Sequence, residues 1–233
     1  MLLSDKEKEI TAYHEAGHAL VARKVKNADP VHKLTIVPRG MALGLMQQLP
    51  EGERHTYSRG YWIDQLAVLF GGRAAEEVVF DDINTGASSD IERATDVAKK
   101  MICEWGMSTL GPIAYSTGKQ EHVFLGKDMG VAKDHSESKQ QEIDKEVARL
   151  LNEAHDRALS IIKENEVALR ALAIAAIERE TLNAEEIDTL IGGGTLPPFI
   201  REVVEPKKEA KKPEEVKDTA GAGILGNPVP VGA

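Results

Sequence analysis

The sequence predicts a mainly α fold with a small β-hairpin or sheet beside its first helix and a helical C-terminal part. Three observations predict it. The opening stretch "LLSDKEKEITAYHEAGHALVARKV" carries Ile10, Tyr13, Gly17, Leu20, Val21 and Val25 at helical spacing. Residues 136–163 place Ile143, Val147, Leu150, Leu151, Ala154, Ala158, Ile161 and Ile162 on one face of a long helix. Between the two, "HKLTIVP" and "GLMQQLP" are the clearest strand signals.

Taken in order, Ser4 or Asp5 is positioned to cap the first helix, and Pro30 closes the region beyond Asn27 and Asp29. The strands at 32–38 and 44–50 are joined by "RGMA", which suggests a hairpin, and 52–58 is a loop. Residues 61–80 read as helix, apolar nearly all round and so buried. Gly71-Gly72 in its middle costs about 2 kcal/mol of helix propensity relative to two alanines. Either a close backbone approach or a bend accounts for that cost. "DDINTGASSD" (81–90) is a polar loop leading to a helix with Ile91, Ala94, Ala98, Met101, Ile102 and Trp105 on one face. A Ser89–Glu92 capping box would put Asp90 in the first turn of that helix. Residues 106–134 are glycine-punctuated, with "HVFL" as a third strand. After the long helix come a turn at Glu164-Asn165, a helix over 167–179, and a short one opened by Asn183-x-x-Glu186 and stopped by Gly192-Gly193-Gly194. The expected division is a chemistry-bearing core at 1–135, a helical C-terminal part of the same domain at 136–200, and a disordered Pro/Lys/Glu/Ala/Gly tail at 201–233.

Composition excludes several function classes. A net charge of −9 argues against nucleic acid as the main partner. The longest apolar run of note, Leu172–Ile177, is far shorter than the roughly 18 residues of a membrane span. Charge at Lys6–Glu9 interrupts any signal peptide, and the single cysteine, Cys103, rules out an internal disulfide. Aromatic residues make up 4%, so aliphatic side chains must fill the core.

The chemistry is concentrated in His14-Glu15-Ala16-Gly17-His18. A shuffled chain of this composition gives about 0.02 matches to H-E-x-x-H. On a helix, residues i and i+4 lie on one face, so both imidazoles can point at one ion. Glu15 is turned about 100° from His14, which frees it to deprotonate a water on the metal. A catalytic zinc takes three protein ligands. The extended pattern H-E-x-x-H-x-x-G-x-x-H does not supply the third, because Val21 and Lys24 stand at its glycine and histidine positions. Glu76, Glu77, Asp90 and Asp96 remain as candidates, with His32, His55 and His122 behind them, and spacing does not choose among them.

"HEAGHAL", "DPVHKLTIVPRGMALG", "GGRAAEE", "TGASSDI", "WGMSTLGP" and "VFLG", in this order, resemble the protease domain of the FtsH family of membrane-anchored AAA+ zinc metalloproteases. The resemblance runs from about Ser4 to Pro198 and departs slightly at Ser89, where many members have asparagine. It implies zinc on His14, His18 and Asp90, with Glu15 as general base and Glu76 as a carboxylate behind a ligand histidine. It further implies endopeptidase action on unfolded polypeptide, from misfolded or unassembled membrane proteins to short-lived cytosolic ones, within a homohexamer. The family's transmembrane helices and ATPase precede this domain. No G-x-x-x-x-G-K-[ST] occurs here, since Gly118-Lys119 is followed by Gln120. The expectation is therefore an excised, soluble domain of a protein in the cytoplasmic membrane, facing the cytoplasm, with ATP acting only through an ATPase outside this chain.

Overall fold

Ser4 opens the first helix, α1 (Asp5–Lys24), through a full capping box: its hydroxyl accepts from the Glu7 amide, and the Glu7 carboxylate reaches back to the Ser4 amide. The computed structural model describes residues 4–38, 40, 43–50, 52–115 and 136–199. The expected strand "HVFL", His122 and the tail 201–233 lie outside these described residues. From Thr11 to Ala22 the helix is enclosed on nearly every side, rather than along one apolar stripe. Thr11, Glu15 and His18 are buried with the aliphatic residues, which marks this helix as carrying more than packing.

The chain then forms β1 (Val31–Thr35) and β2 (Leu45–Gln48), the expected antiparallel hairpin, with a bulge between Val31 and Lys33. The third strand of the sheet is β3 (Thr181–Asn183), which pairs with β1 so that the order is β2-β1-β3. Three residues are too few to show an alternating pattern, and β3 exists because β1 offers it a ladder. Among the described residues β2 is therefore an edge strand.

The helix expected over 61–80 is two helices, α2 (Arg59–Leu69) and α3 (Gly71–Phe80), broken at Phe70. Both readings of the glycine pair hold. The chain breaks there, and the backbones of α1 and α3 also touch. A Cβ on Gly17 would stand 2.2 Å from the Gly71 carbonyl oxygen, and one on Gly71 would stand 2.7 Å from the Gly17 oxygen.

Asn84 caps a single 3-10 turn, Thr85–Ala87, which runs directly into α4 (Ser88–Cys103). The Ser89–Glu92 capping box is not formed: the helix starts two residues earlier, with Ala87 at the cap position and no side-chain bond there. Asp90 still falls in the first turn, as expected. Ala94, Ala98, Met101 and Ile102 bury the helix face, whereas Trp105 lies beyond the helix end and stacks on Trp62.

The long helix α5 (Glu137–Glu164) is capped by Ser136, and α6 (Glu166–Arg179) follows it. α7 (Ala184–Ile191) has the Asn183–Glu186 capping box and ends at Gly192. α1 sits at the centre, packed by α3 and α6 and flanked by α2, α5 and β1. The largest fully buried apolar side chains, among them Leu20, Leu34, Met101, Ile162, Leu172 and Ile187, are all aliphatic, as the composition requires. One buried carboxylate also ties the frame together. Asp64 on α2, 2% exposed, accepts from the Asn27 backbone and side-chain amides and from Arg157 of α5.

Candidate metal centre

His14 and His18 lie one turn apart on the half of α1 that faces α2, α3 and the start of α4. Each ring is fixed from behind. His14 Nδ1 lies 2.7 Å from Oε1 of Glu76 on α3, and His18 Nδ1 lies 2.7 Å from the carbonyl oxygen of Val68. That carbonyl is in the last turn of α2, next to the break at Phe70, and is open to the His18 ring. The break at Phe70 therefore supplies the group that orients His18.

Both partners are acceptors, so each Nδ1 donates its hydrogen, and in its neutral form each ring keeps a lone pair on Nε2. The two Nε2 atoms are 3.0 Å apart, and Asp90 Oδ2 stands 3.2 Å from one and 3.4 Å from the other. Three acceptors thus converge on one point, an arrangement that repels itself unless a cation or a shared proton lies among them. Tetrahedral zinc bonds of about 2.0–2.1 Å put neighbouring ligand atoms about 3.3 Å apart, close to the observed triangle. The donor set fits a zinc ion. Among the described residues, His14, His18 and Asp90 are the group able to hold a metal.

The electrostatics agree. Burial disfavours a charged His14, but hydrogen bonds to Asp90 and Glu76 outweigh it and raise its pKa from 6.5 to about 10. Burial likewise disfavours ionised Asp90, yet the two histidines hold its carboxyl well below the usual range. Its place in the first turn of α4 adds the positive end of a helix dipole. The site draws in positive charge.

Glu15, 8% exposed, lies against the start of β2, where a Cβ on Gly44 would stand 2.8 Å from its Oε1, and it is near enough to both histidines to feel their charge. Burial raises its carboxyl pKa above the ordinary value, while the charges of His18 and His14 and the Met46 amide draw it back. Glu76 is 1% exposed, and its second oxygen is buried with no hydrogen-bond partner among the described residues, so His14 is what compensates this carboxylate there.

The other sequence candidates lie elsewhere. Glu77 pairs with Arg73 at 2.8 Å and His155 at 3.2 Å. Asp96 lines a groove between α4 and α5, and His32 and His55 are exposed. Sequence reasoning missed Val68, because a backbone acceptor leaves no mark in side-chain identity.

The fold and site define a histidine–histidine–carboxylate centre on an interlocked helical frame, the arrangement of a metallopeptidase. The family comparison agrees: residues 1–190 match the model of Peptidase family M41, and the chain belongs to that family. It is 50% identical over 199 residues to the "ATP-dependent zinc metalloprotease FtsH" of Acidobacterium capsulatum, covering 85% of this chain and 31% of that protein. It is 45% identical to "ATP-dependent zinc metalloprotease FtsH 1" of Bdellovibrio bacteriovorus, covering 100% of this chain and 35% of that protein. To "ATP-dependent zinc metalloprotease FtsH 4" of Sorangium cellulosum it is 47% identical, covering 99% and 36%. The chain spans about a third of the length of these curated relatives. No helix among the described residues is long and apolar enough to cross a membrane.

Proposed function

We propose that this chain is a zinc endopeptidase module that hydrolyses unfolded polypeptide, with His14, His18 and Asp90 holding the metal and Glu15 as general base. The observation that carries the reading is the triangle of His14 Nε2, His18 Nε2 and Asp90 Oδ2, with both Nδ1 positions committed to acceptors behind the rings. A bound zinc ion supplies Lewis acidity at that point, polarising a carbonyl and lowering the pKa of water toward 7. Glu15 takes the proton of the attacking water and passes it to the leaving amine, so one carboxylate acts first as base and then as acid. Its burial raises its pKa and makes it the stronger base. Glu76 holds the tautomer and angle of His14, and the Val68 carbonyl does the same for His18.

The substrate enters as an extended strand beside β2, whose outer edge faces away from β1 and whose approach at Gly44 lies against Glu15. In a folded protein most backbone amides and carbonyls are already paired, which favours unfolded chains as substrates. In the longer protein, the substrates are misfolded or unassembled membrane proteins and short-lived cytosolic proteins, unfolded by an ATPase. That protein is a homohexamer anchored in the cytoplasmic membrane, with this module facing the cytoplasm.

The test is Glu15→Gln, which keeps shape and removes the base. Elemental analysis is expected to find zinc retained, while cleavage of an unstructured polypeptide falls by several orders of magnitude. Loss of the metal would make Glu15 a ligand, and retained turnover would move the base elsewhere.

A further inference from the structure

We propose that Gly72 is a positioning residue of the metal centre, the flat seat that lets the His14 imidazole lie against α3 with its Nε2 aimed at the site. The inference rests on the metal reading above and goes beyond it to a residue that touches neither metal nor substrate. A Cβ on Gly72 would stand 2.5 Å from Cε1, 2.6 Å from Nδ1 and 2.6 Å from Nε2 of His14. Those distances mean that the ring occupies the space a side chain would fill.

The neighbouring glycine does a different job. At Gly71 the conflict is with backbone, the Gly17 carbonyl at 2.7 Å and the His18 Cα at 2.9 Å. Gly71 and Ala75 are four apart on α3 and together accept the α1 backbone at Gly17, where an added Cβ would lie 2.7 Å from that of Ala75. Gly72 and Glu76 are also four apart, one position further round. They form a second track, in which Gly72 provides the seat and Glu76 Oε1 grips Nδ1 at 2.7 Å. The pair on α3 is thus complementary to the histidine on α1. An alanine at 71 collides with rigid chain, whereas an alanine at 72 collides with a side chain that can rotate away.

The prediction is a separation of two measurements. Gly72→Ala is expected to lower zinc affinity about 10- to 100-fold in a chelator competition, the size of effect seen when the groups behind a ligand are disturbed. In thermal melts of the metal-free full chain, Gly72→Ala lowers Tm when His14 is present. On a His14→Ala background the ring is gone, and the same substitution leaves Tm unchanged or raises it. Gly71→Ala lowers Tm on both backgrounds. Wild-type zinc affinity in Gly72→Ala overturns the proposal, and so does an equal loss of Tm with and without His14. If the wild-type chain binds no zinc, the metal reading fails, and the thermal cycle alone then decides the seat.

Discussion

Loading the centre with zinc is expected to release about one proton from His14 at neutral pH. The perturbation is metal removal and return. In the metal-free protein, hydrogen bonds to Asp90 and Glu76 overcome the effect of burial and hold the His14 pKa at about 10. At pH 7 the ring is then some three units below its pKa and keeps its proton by a factor of about 10³, a barrier of about 4 kcal/mol that the metal must overcome. Apparent zinc affinity therefore rises about tenfold per pH unit, or roughly 30-fold between pH 7 and 8.5. The linkage also has a sign in folding. A histidine pKa raised from 6.5 to about 10 gives stability that is fully present below 6.5 and is lost as pH rises through 10. The metal-free chain thus loses this contribution in alkali, while the zinc-loaded chain, with His14 already neutral, does not. Calorimetry in buffers of differing ionisation enthalpy counts the protons, and chelator competition at several pH values gives the slope. Zinc affinity independent of pH over this range, with no proton release, would show that His14 is neutral before the metal arrives and would refute the reasoning.

Two further outcomes follow from the same geometry and from a distant ion pair. Asp90→Ala is expected to lose zinc and activity together, whereas Glu76→Gln weakens zinc about 10- to 100-fold and releases less than one proton on loading; a zinc titration ranks the two. Glu146, 6% exposed, accepts from Arg149 and the Thr109 amide, and the Arg149 bond first of all lowers its carboxyl pKa to about 2 against burial. A lowered carboxylate pKa gives stability present above about 4.5 and lost as pH falls through about 2. Glu146→Gln therefore lowers Tm at pH 7, and the gap from wild type narrows from pH 4.5 downward in a melting series.

What the sequence shows clearly is what is encoded locally. α5 and α7 were legible because Ser136 and the Asn183–Glu186 box mark their starts, and Gly192 marks the end of α7. The H-E-x-x-H pair was legible because four-residue spacing is itself a statement about one helical face. What it hid is non-local. The break at Phe70 falls in a stretch apolar on all sides, where periodicity has no phase to lose. β3 is three residues long and is defined by its partner β1. Asp90 lies 76 residues from His14, and the choice among four carboxylates depends on how α3 and α4 return to α1, which spacing does not record. The Ser89 box failed for a local reason that was misread: the turn capped by Asn84 feeds the helix early and leaves Ser89 inside it.

The centre and the core are built by the same contacts. α1 can be buried nearly all round because Gly17 and Gly71 let its backbone touch α3, and that closeness brings Glu76 to His14. Burying His18 and Glu76 has a cost unless every polar atom finds a partner. Val68 supplies a partner to His18 and His14 to one oxygen of Glu76, both from behind, which leaves His14 Nε2, His18 Nε2 and Asp90 Oδ2 facing one another. A metal ion is the partner that satisfies all three at once. Metal binding should therefore stabilise the fold as well as arm the chemistry, since an ion bound by the native state and not by the unfolded chain adds its binding free energy to folding. The same interlocking fixes the helices that carry the ligands, with α1 packed on α3 and α6 and α4 on α2 and α5.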